Sequence, residues 1–121
     1  MANIFIVDDS PTEVHVLKAM LEKNGHVVDS ADNAEAGIKA ITEKKPDLVL
    51  MDVVMPGMNG FQATRALTKA PETENIPIII VTTKDQETDK VWAMRQGAKD
   101  YIVKPVQEKT LIEHVNMVLS A

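Results

Sequence analysis

The stretch Ile4-Phe5-Ile6-Val7-Asp8-Asp9-Ser10-Pro11-Thr12-Glu13 runs from an apolar segment, through two adjacent aspartates, into the start of a helix. Its first four residues are apolar at every position, which is typical of a strand covered on both faces in a parallel sheet. Ser10 to Glu13 has the pattern of a capping box with proline at the first helical position. The stretch therefore predicts the first strand–helix unit of an α/β domain, with Asp8 and Asp9 at the carboxyl end of the strand.

The same unit recurs along the rest of the chain. Further short apolar runs are Val27–Val28, Leu48–Met51, Ile78–Val81 and Tyr101–Val103. Apolar stripes indicate the helical stretches between and after these runs: Val14, Leu17 and Leu21; Ala34, Ile38 and Ile41; Phe61 and Leu67; and Leu111, Val115 and Leu119. Asn33 is a predicted N-cap of the second helix, and Asp85 is the predicted start of the fourth. Gly25, Pro71 and Gly97 are the predicted stops of the first, third and fourth helices. Because crossovers between parallel strands are right-handed, this alternation predicts a doubly wound sheet with helices on both faces.

The composition restricts the classes of protein to consider. A chain of 121 residues suits one domain, and 45% hydrophobic with 26% charged residues is ordinary for a soluble protein. The net charge of −5 disfavours nonspecific binding to nucleic acids or acidic membranes. The absence of cysteine excludes disulfides and thiolate chemistry. No signal peptide and no apolar stretch of about 20 residues is visible, so we expect a cytoplasmic protein without membrane insertion.

Polar residues collect at the predicted strand ends. Asp8 and Asp9 end the first apolar run, Asp52 follows Leu48–Met51, Thr82 follows another run and Lys104 the last. Parallel strands place these ends along one edge, so the residues are predicted to share a crevice. Three ionised carboxylates there would repel each other by about 1–4 kcal/mol per pair at 4 Å, and one lysine offsets only one charge. An all-oxygen site of this kind suits Mg²⁺.

Each of these residues taken singly has an ordinary structural explanation. An aspartate pair can simply end a strand, a threonine is common within strands, and a lysine often lies at a solvated strand end. Together with Met55-Pro56-Gly57 after Asp52, and Tyr101 before Lys104-Pro105, they resemble the receiver domain of bacterial two-component response regulators. The resemblance covers essentially the whole chain. It implies a flavodoxin-like (βα)5 sheet with strand order 2-1-3-4-5, and a single receiver domain over residues 1–121, expected to stand alone without an output domain.

The resemblance also implies a phosphoacceptor and a metal site. Asp52 would be the nucleophile that takes a phosphoryl group from a phosphohistidine and forms an aspartyl phosphate. Asp9, Asp52 and the main-chain carbonyl of Val54 would bind Mg²⁺. Asp8 would complete the metal site by its charge and by a water-mediated contact.

The resemblance implies further residues that bind the phosphoryl group, and others that change conformation when it is bound. Lys104 and Thr82 would hold phosphoryl oxygens, which suits a reaction that depends on alignment and charge neutralisation. The bond before Pro105 is a candidate for the cis form, which would direct the lysine. Thr82 and Tyr101 resemble the family's switch pair, which moves on phosphorylation and alters the surface of the fourth helix, fifth strand and fifth helix.

The partners follow from the same resemblance. We expect a CheA-like histidine kinase as donor, a protein target on the switched surface, no nucleic acid, and a monomer or weak dimer. The chain would be a phosphorylated signalling protein rather than an enzyme, with only self-catalysed phosphotransfer and slow autodephosphorylation. Its sequence is most similar to receivers in chemosensory control of type IV pili and twitching motility. The alternatives are a CheY-type regulator of the flagellar motor, a phosphate sink, and a phosphate-independent pseudo-receiver.

An enzyme is the rival class. Aspartate-nucleophile phosphatases use Mg²⁺ in a similar way, but they have a second aspartate two residues after the nucleophile as acid and base. Here that position is Val54, which argues against a phosphatase. The pseudo-receiver alternative is disfavoured because such proteins usually lack one of the acidic residues or the lysine, and this sequence has all of them.

Overall fold

Five parallel strands alternate with five helices over residues 1–121, all of which the computed structural model describes. They are β1 (Asn3–Val7), α1 (Pro11–Lys23), β2 (Val27–Ala31), α2 (Ala34–Lys44), β3 (Leu48–Met51), α3 (Gly60–Lys69), β4 (Ile78–Thr82), α4 (Glu87–Arg95), β5 (Asp100–Val103) and α5 (Glu108–Ser120). The strand order is β2-β1-β3-β4-β5, which confirms the predicted flavodoxin-like fold. None of the helices is both long and apolar enough to span a bilayer.

The sheet is buried on both faces, which explains its uninterrupted apolar runs. Phe5 and Val7 of β1 face a core layer built with α2, α3 and α4, whereas Ile4 and Ile6 face a second layer built with α1 and α5. All four residues of β3 are buried, as are all five of β4. The central strands are thereby held rigidly, and their carboxyl ends are well-defined positions for functional side chains.

The predicted strand and helix boundaries agree with the structure to within one residue except at β2 and α4. β2 extends to Ala31 rather than ending at Val28, although Asp29 and Ser30 are exposed and polar. It tolerates them because it is an edge strand that pairs only with β1. The fourth helix begins at Glu87 with Gln86 as its N-cap, not at Asp85.

The capping box predicted at the start of α1 forms only in half. The Ser10 Oγ accepts a hydrogen bond from the Glu13 N–H at 3.3 Å, as predicted. The Ser10 N–H does not bond to Glu13 but donates to Asp8 Oδ1 at 2.9 Å. Glu13 instead directs its carboxylate towards Lys104, with 3.8 Å between Oε2 and Nζ. The first turn of α1 is therefore tied to the acidic strand end.

The start of α3 lies directly on the end of β3. The Gly60 N–H donates to the Val53 carbonyl at 2.9 Å, and a Cβ built on Gly60 would lie only 1.9 Å from the Asp52 carbonyl oxygen. Asn59 and Gln62 close this turn with a full capping box. Asn59-x-x-Gln62 is a capping-box signal that is readable in the sequence, although the predicted start of the third helix did not rest on it. This contact places the third helix against the main chain of Asp52.

Candidate functional site

The carboxyl ends of four adjacent strands bring the predicted polar residues together. Asp8 and Asp9 follow β1, Asp52 follows β3, Thr82 ends β4 and Lys104 follows β5. Carboxylate oxygens of the three aspartates all lie within 4.8 Å of one another. The structure therefore assembles one acidic cluster at this edge of the sheet.

Lys104 is the cation that faces this cluster. Its Nζ lies 2.8 Å from Asp8 Oδ2 and 3.6 Å from Asp52 Oδ2, and its side chain is only 7% exposed. Burial opposes the ammonium charge, but the hydrogen bond to Asp8 and the charges of Asp52, Asp8 and Glu13 outweigh it and raise the pKa of Lys104. The Lys104–Pro105 peptide bond is cis, and the Lys104 N–H donates to the Thr82 carbonyl at 2.8 Å. The lysine is thus charged and held in place.

Asp52 lies in the centre of the crevice and is 8% exposed. Its Oδ1 accepts a hydrogen bond from the Val53 N–H at 2.8 Å. Burial raises the pKa of Asp52 above its ordinary value, and the charge of Asp8 adds to this effect, although Lys104, the Val53 N–H and the Thr82 hydroxyl oppose it. The negative charge of Asp52 is therefore incompletely neutralised by the protein itself.

This electrostatic excess predicts that Asp52→Asn stabilises the metal-free protein. Because the pKa of Asp52 is raised in the fold, its unfavourable contribution is absent below the ordinary value of 3.8, grows between that value and the folded pKa, and is fully present above the folded pKa. At pH 7 we expect the variant to gain about 1–2 kcal/mol in free energy of unfolding. Urea unfolding in EDTA at pH 7 and pH 4 measures the gain, which should shrink at the lower pH.

The control for this prediction is Asp85→Asn, which removes an exposed carboxylate that forms no ion pair in the structure. Its free energy of unfolding should stay within about 0.5 kcal/mol of the wild type. A loss of stability in Asp52→Asn without metal would show that Lys104 neutralises Asp52 fully.

The donor set fits a hard divalent cation. Every candidate ligand is an oxygen, as Mg²⁺ prefers. The Asp9 carboxylate is exposed and forms no hydrogen bond or ion pair within the chain, and the Val54 carbonyl accepts no main-chain hydrogen bond. Asp8 differs, because Ser10 and Lys104 already occupy its two oxygens. The oxygens most available for direct ligation are therefore those of Asp9 and the Val54 carbonyl, together with Asp52 Oδ2, since Asp52 Oδ1 accepts the Val53 N–H.

Thr82 and Tyr101 contact the same residue of the loop between β4 and α4. The buried Thr82 Oγ1 accepts a hydrogen bond from the Lys84 N–H at 3.4 Å, and the Tyr101 hydroxyl donates to the Lys84 carbonyl at 2.8 Å. Burial and the nearby charges of Asp89 and Asp85 raise the pKa of Tyr101 to about 12. The tyrosine stays protonated as a donor, so the two side chains hold this loop jointly.

Glu13 is the charged neighbour that sequence reasoning missed. Its carboxylate lies 3.8 Å from Lys104 Nζ, so three acidic residues share one ammonium group. The signal was its place in the first turn of the helix that follows Asp8 and Asp9. The capping box explained that position, and the competing partner, Lys104 directly after β5, is distant in sequence.

The fold and the acidic crevice together define a CheY-like signalling domain. The chain belongs to the family described as "Response regulator receiver domain", whose model matches residues 4–116. Among curated proteins it is similar to Protein PilH of Pseudomonas aeruginosa, with 64% identity over 120 residues that cover 99% of both chains.

Solved structures agree with this assignment. The chemotaxis protein CheY4 of Vibrio cholerae has a TM-score of 0.92 and 27% identity, with 98% of each chain covered. The receiver domain of the sensor histidine kinase PA1611 of Pseudomonas aeruginosa has a TM-score of 0.92 and 25% identity, covering 99% of this chain and 98% of its own. That neighbour was solved with a magnesium ion coordinated in its active site cleft.

Proposed function

We propose that this receiver takes a phosphoryl group from a histidine kinase onto Asp52. The observation that carries the proposal is the cluster of three carboxylates within 4.8 Å, faced by a buried lysine 3.6 Å from Asp52. Such a site concentrates negative charge and offers a nucleophile beside a fixed cation. It suits the transfer of a phosphoryl group, in which positioning and charge neutralisation do most of the catalysis.

In the proposed reaction an Asp52 carboxylate oxygen attacks phosphorus and forms the new O–P bond. The P–N bond of the phosphohistidine breaks, and the leaving imidazole takes a proton from solvent. No base is needed, because an ionised carboxylate has no proton to lose. Lys104 then pairs with one phosphoryl oxygen, and the Thr82 hydroxyl donates to another.

The residues that would hold Mg²⁺ are Asp9, Asp52 and the Val54 carbonyl, with Asp8 acting through water. When bound, the ion supplies the positive charge that a single lysine lacks. The support comes from the oxygen-only donor set, the raised pKa of Asp52 and the magnesium in the PA1611 receiver.

Phosphorylation would shift the Thr82–Tyr101 pair. The Thr82 hydroxyl accepts a 3.4 Å bond from the Lys84 N–H and faces the Asp52 carboxylate as a donor, so it can pass its hydrogen bond to a phosphoryl group on Asp52. The Tyr101 ring would follow inwards and release the Lys84 carbonyl. This exchange favours a second packing of the β4–α4 loop and so alters the α4–β5–α5 surface for a protein target.

The identity to PilH supports a place in chemosensory control of type IV pili and twitching motility, with a CheA-like kinase as donor. At 64% identity over 99% of both chains, PilH is far more similar than CheY4 at 27%. This comparison favours a pilus role over a flagellar one.

Metal dependence tests the proposed chemistry. After incubation with acetyl phosphate and MgCl₂, intact mass should show one added phosphoryl group per chain, and hydroxylamine should remove it as it does acyl phosphates. EDTA should suppress the addition by at least about 100-fold, because the repulsion among the carboxylates is then uncompensated. Equal labelling with and without EDTA would refute the metal role. No labelling by acetyl phosphate or by a phosphorylated histidine kinase would identify a pseudo-receiver.

A further inference from the structure

A groove lies between α3 and α4, outside the acidic crevice at the strand ends. We call it the α3–α4 groove, and its lining residues are Asn59, Phe61, Gln62, Arg65, Trp92 and Gln96. Trp92 is the only tryptophan of the chain and is 50% exposed. Phe61 on the opposite wall is partly buried and packs on the core. The groove thus exposes aromatic surface that the fold leaves uncovered.

Both arginines of the chain lie beside this tryptophan. Arg65 lines the α3–α4 groove, and Arg95 follows Trp92 by one helical turn on α4. Both side chains are exposed, and neither forms an ion pair or a side-chain hydrogen bond within the chain. The protein has 18 acidic against 13 basic residues, so acidic partners are plentiful elsewhere on its surface. Two unpaired guanidinium groups beside one exposed indole therefore form a distinct cationic and aromatic surface.

Two further apolar side chains are exposed on α4, where they line a separate depression together with Arg95 rather than the α3–α4 groove. Val91 is 46% and Met94 49% exposed, so three of the eight large hydrophobic residues that are exposed lie on this one short helix. Tryptophan and arginine are the residue types most enriched among those that dominate binding energy.

The walls of the groove are fixed relative to each other. The Thr68 hydroxyl of α3 donates to the Gln96 carbonyl at the end of α4 at 2.8 Å. A Cβ on Gly97 would lie 2.7 Å from the Thr68 side chain, which shows how closely the two helices approach there. A groove of defined width between two helices is a preorganised seat for a third helix.

We propose that the α3–α4 groove docks an acidic amphipathic helix of a protein partner. Apolar side chains of that helix would pack on Trp92 and Phe61, and its carboxylates would pair with Arg65 and Arg95 in the bidentate geometry that arginine favours. A second copy of this chain is disfavoured, because a two-fold contact through the same patch would set arginine against arginine. The surface lies on the α3 side of α4 and is separate from the α4–β5–α5 surface. It does not depend on phosphorylation of Asp52.

The test uses synthetic helical peptides and the fluorescence of Trp92. One 16-residue peptide without tryptophan carries a leucine stripe edged by glutamates, and its matched control carries lysines in place of the glutamates. The acidic peptide should give a saturable blue shift of the Trp92 emission, and the lysine peptide should bind at least about tenfold more weakly. Equal binding of the two peptides, or no saturable shift, would overturn the proposal.

Variants measured by calorimetry locate the binding. Arg65→Gln should weaken the acidic peptide about fivefold. Lys18→Gln, which makes the same charge change on α1 across the sheet, should not alter it. If both variants weakened binding equally, the effect would depend on net charge alone, and the proposal would be overturned.

Two further measurements distinguish docking of a partner helix from self-association and from an effect of phosphorylation. A blue shift that grows with protein concentration and needs no peptide would assign the groove to a second copy and overturn the proposal. Asp52→Asn should bind the acidic peptide as the wild type does. Docking can therefore succeed or fail independently of phosphotransfer.

Discussion

Asp52→Asn is expected to abolish phosphoryl incorporation from acetyl phosphate while leaving the fold intact. The substitution keeps the shape of the side chain but replaces the ionised oxygen with an amide, which is a far weaker nucleophile. Lys104 and Thr82 remain in place, so the loss isolates the nucleophile from the rest of the site. We expect a decrease of at least about a thousandfold, measured as the rate at which the phosphorylated mass appears.

The matched control for this experiment is Asp29→Asn, on the exposed edge strand β2. Asp29 forms only a solvent-exposed ion pair with Lys44, so its loss should change neither stability nor labelling appreciably. Circular dichroism should show unchanged secondary structure for both variants. Labelling of Asp52→Asn at the wild-type rate would mean that another residue accepts the phosphoryl group.

Gly60→Ala is expected to cause the largest loss of stability of any glycine-to-alanine substitution in this chain. The new Cβ would lie 1.9 Å from the Asp52 carbonyl oxygen, 2.7 Å from its carbonyl carbon and 2.8 Å from the Val53 Cα. These are main-chain atoms that cannot rotate away, so α3 or the β3–α3 loop must move. We expect a loss of about 3 kcal/mol or more, which exceeds the roughly 1 kcal/mol gain in helix propensity from glycine to alanine.

Urea unfolding compares this variant with Gly25→Ala. Gly25 has a positive φ of 88°, but nothing lies within 4 Å of its Cβ position, so the control carries backbone strain without a clash. It should lose about 1–2 kcal/mol. A smaller loss at Gly60 than at Gly25 would show that the α3 contact relaxes easily. Because Gly60 touches the main chain of Asp52, the rate of phosphorylation should fall as well.

Much of the fold was predictable because its signals are local. The run Ile4–Val7 and the fully buried strands β3 and β4 were readable as strands, since a strand covered on both faces has no polar positions. Asn33 as an N-cap, and Gly25 and Gly97 at positive φ after their helices, were readable because caps depend on nearby residues.

The predictions were wrong where a residue distant in sequence, or the place of a strand in the sheet, decides which hydrogen bonds form. Ser10 and Glu13 make only half of their capping box, because Asp8 takes the Ser10 N–H and Lys104 attracts the Glu13 carboxylate. β2 runs on through polar residues because its position at the sheet edge, which periodicity cannot show, leaves them in water. Sequence separation hides the Glu13 partner, since Lys104 follows the last strand, about 90 residues further along the chain.

The sequence by itself determined the alternation of strands and helices, the placement of Asp8, Asp9, Asp52, Thr82 and Lys104 at strand ends, and the resemblance to receiver domains. Only the tertiary structure decided which of these groups touch. It brings Lys104 closer to Asp8, at 2.8 Å, than to Asp52, at 3.6 Å, sets α3 against the Asp52 main chain, and places Trp92 and Arg65 in one groove. Hydrophobic periodicity encodes which face of a segment is buried, whereas contacts between ends and faces depend on how the segments pack across the sheet.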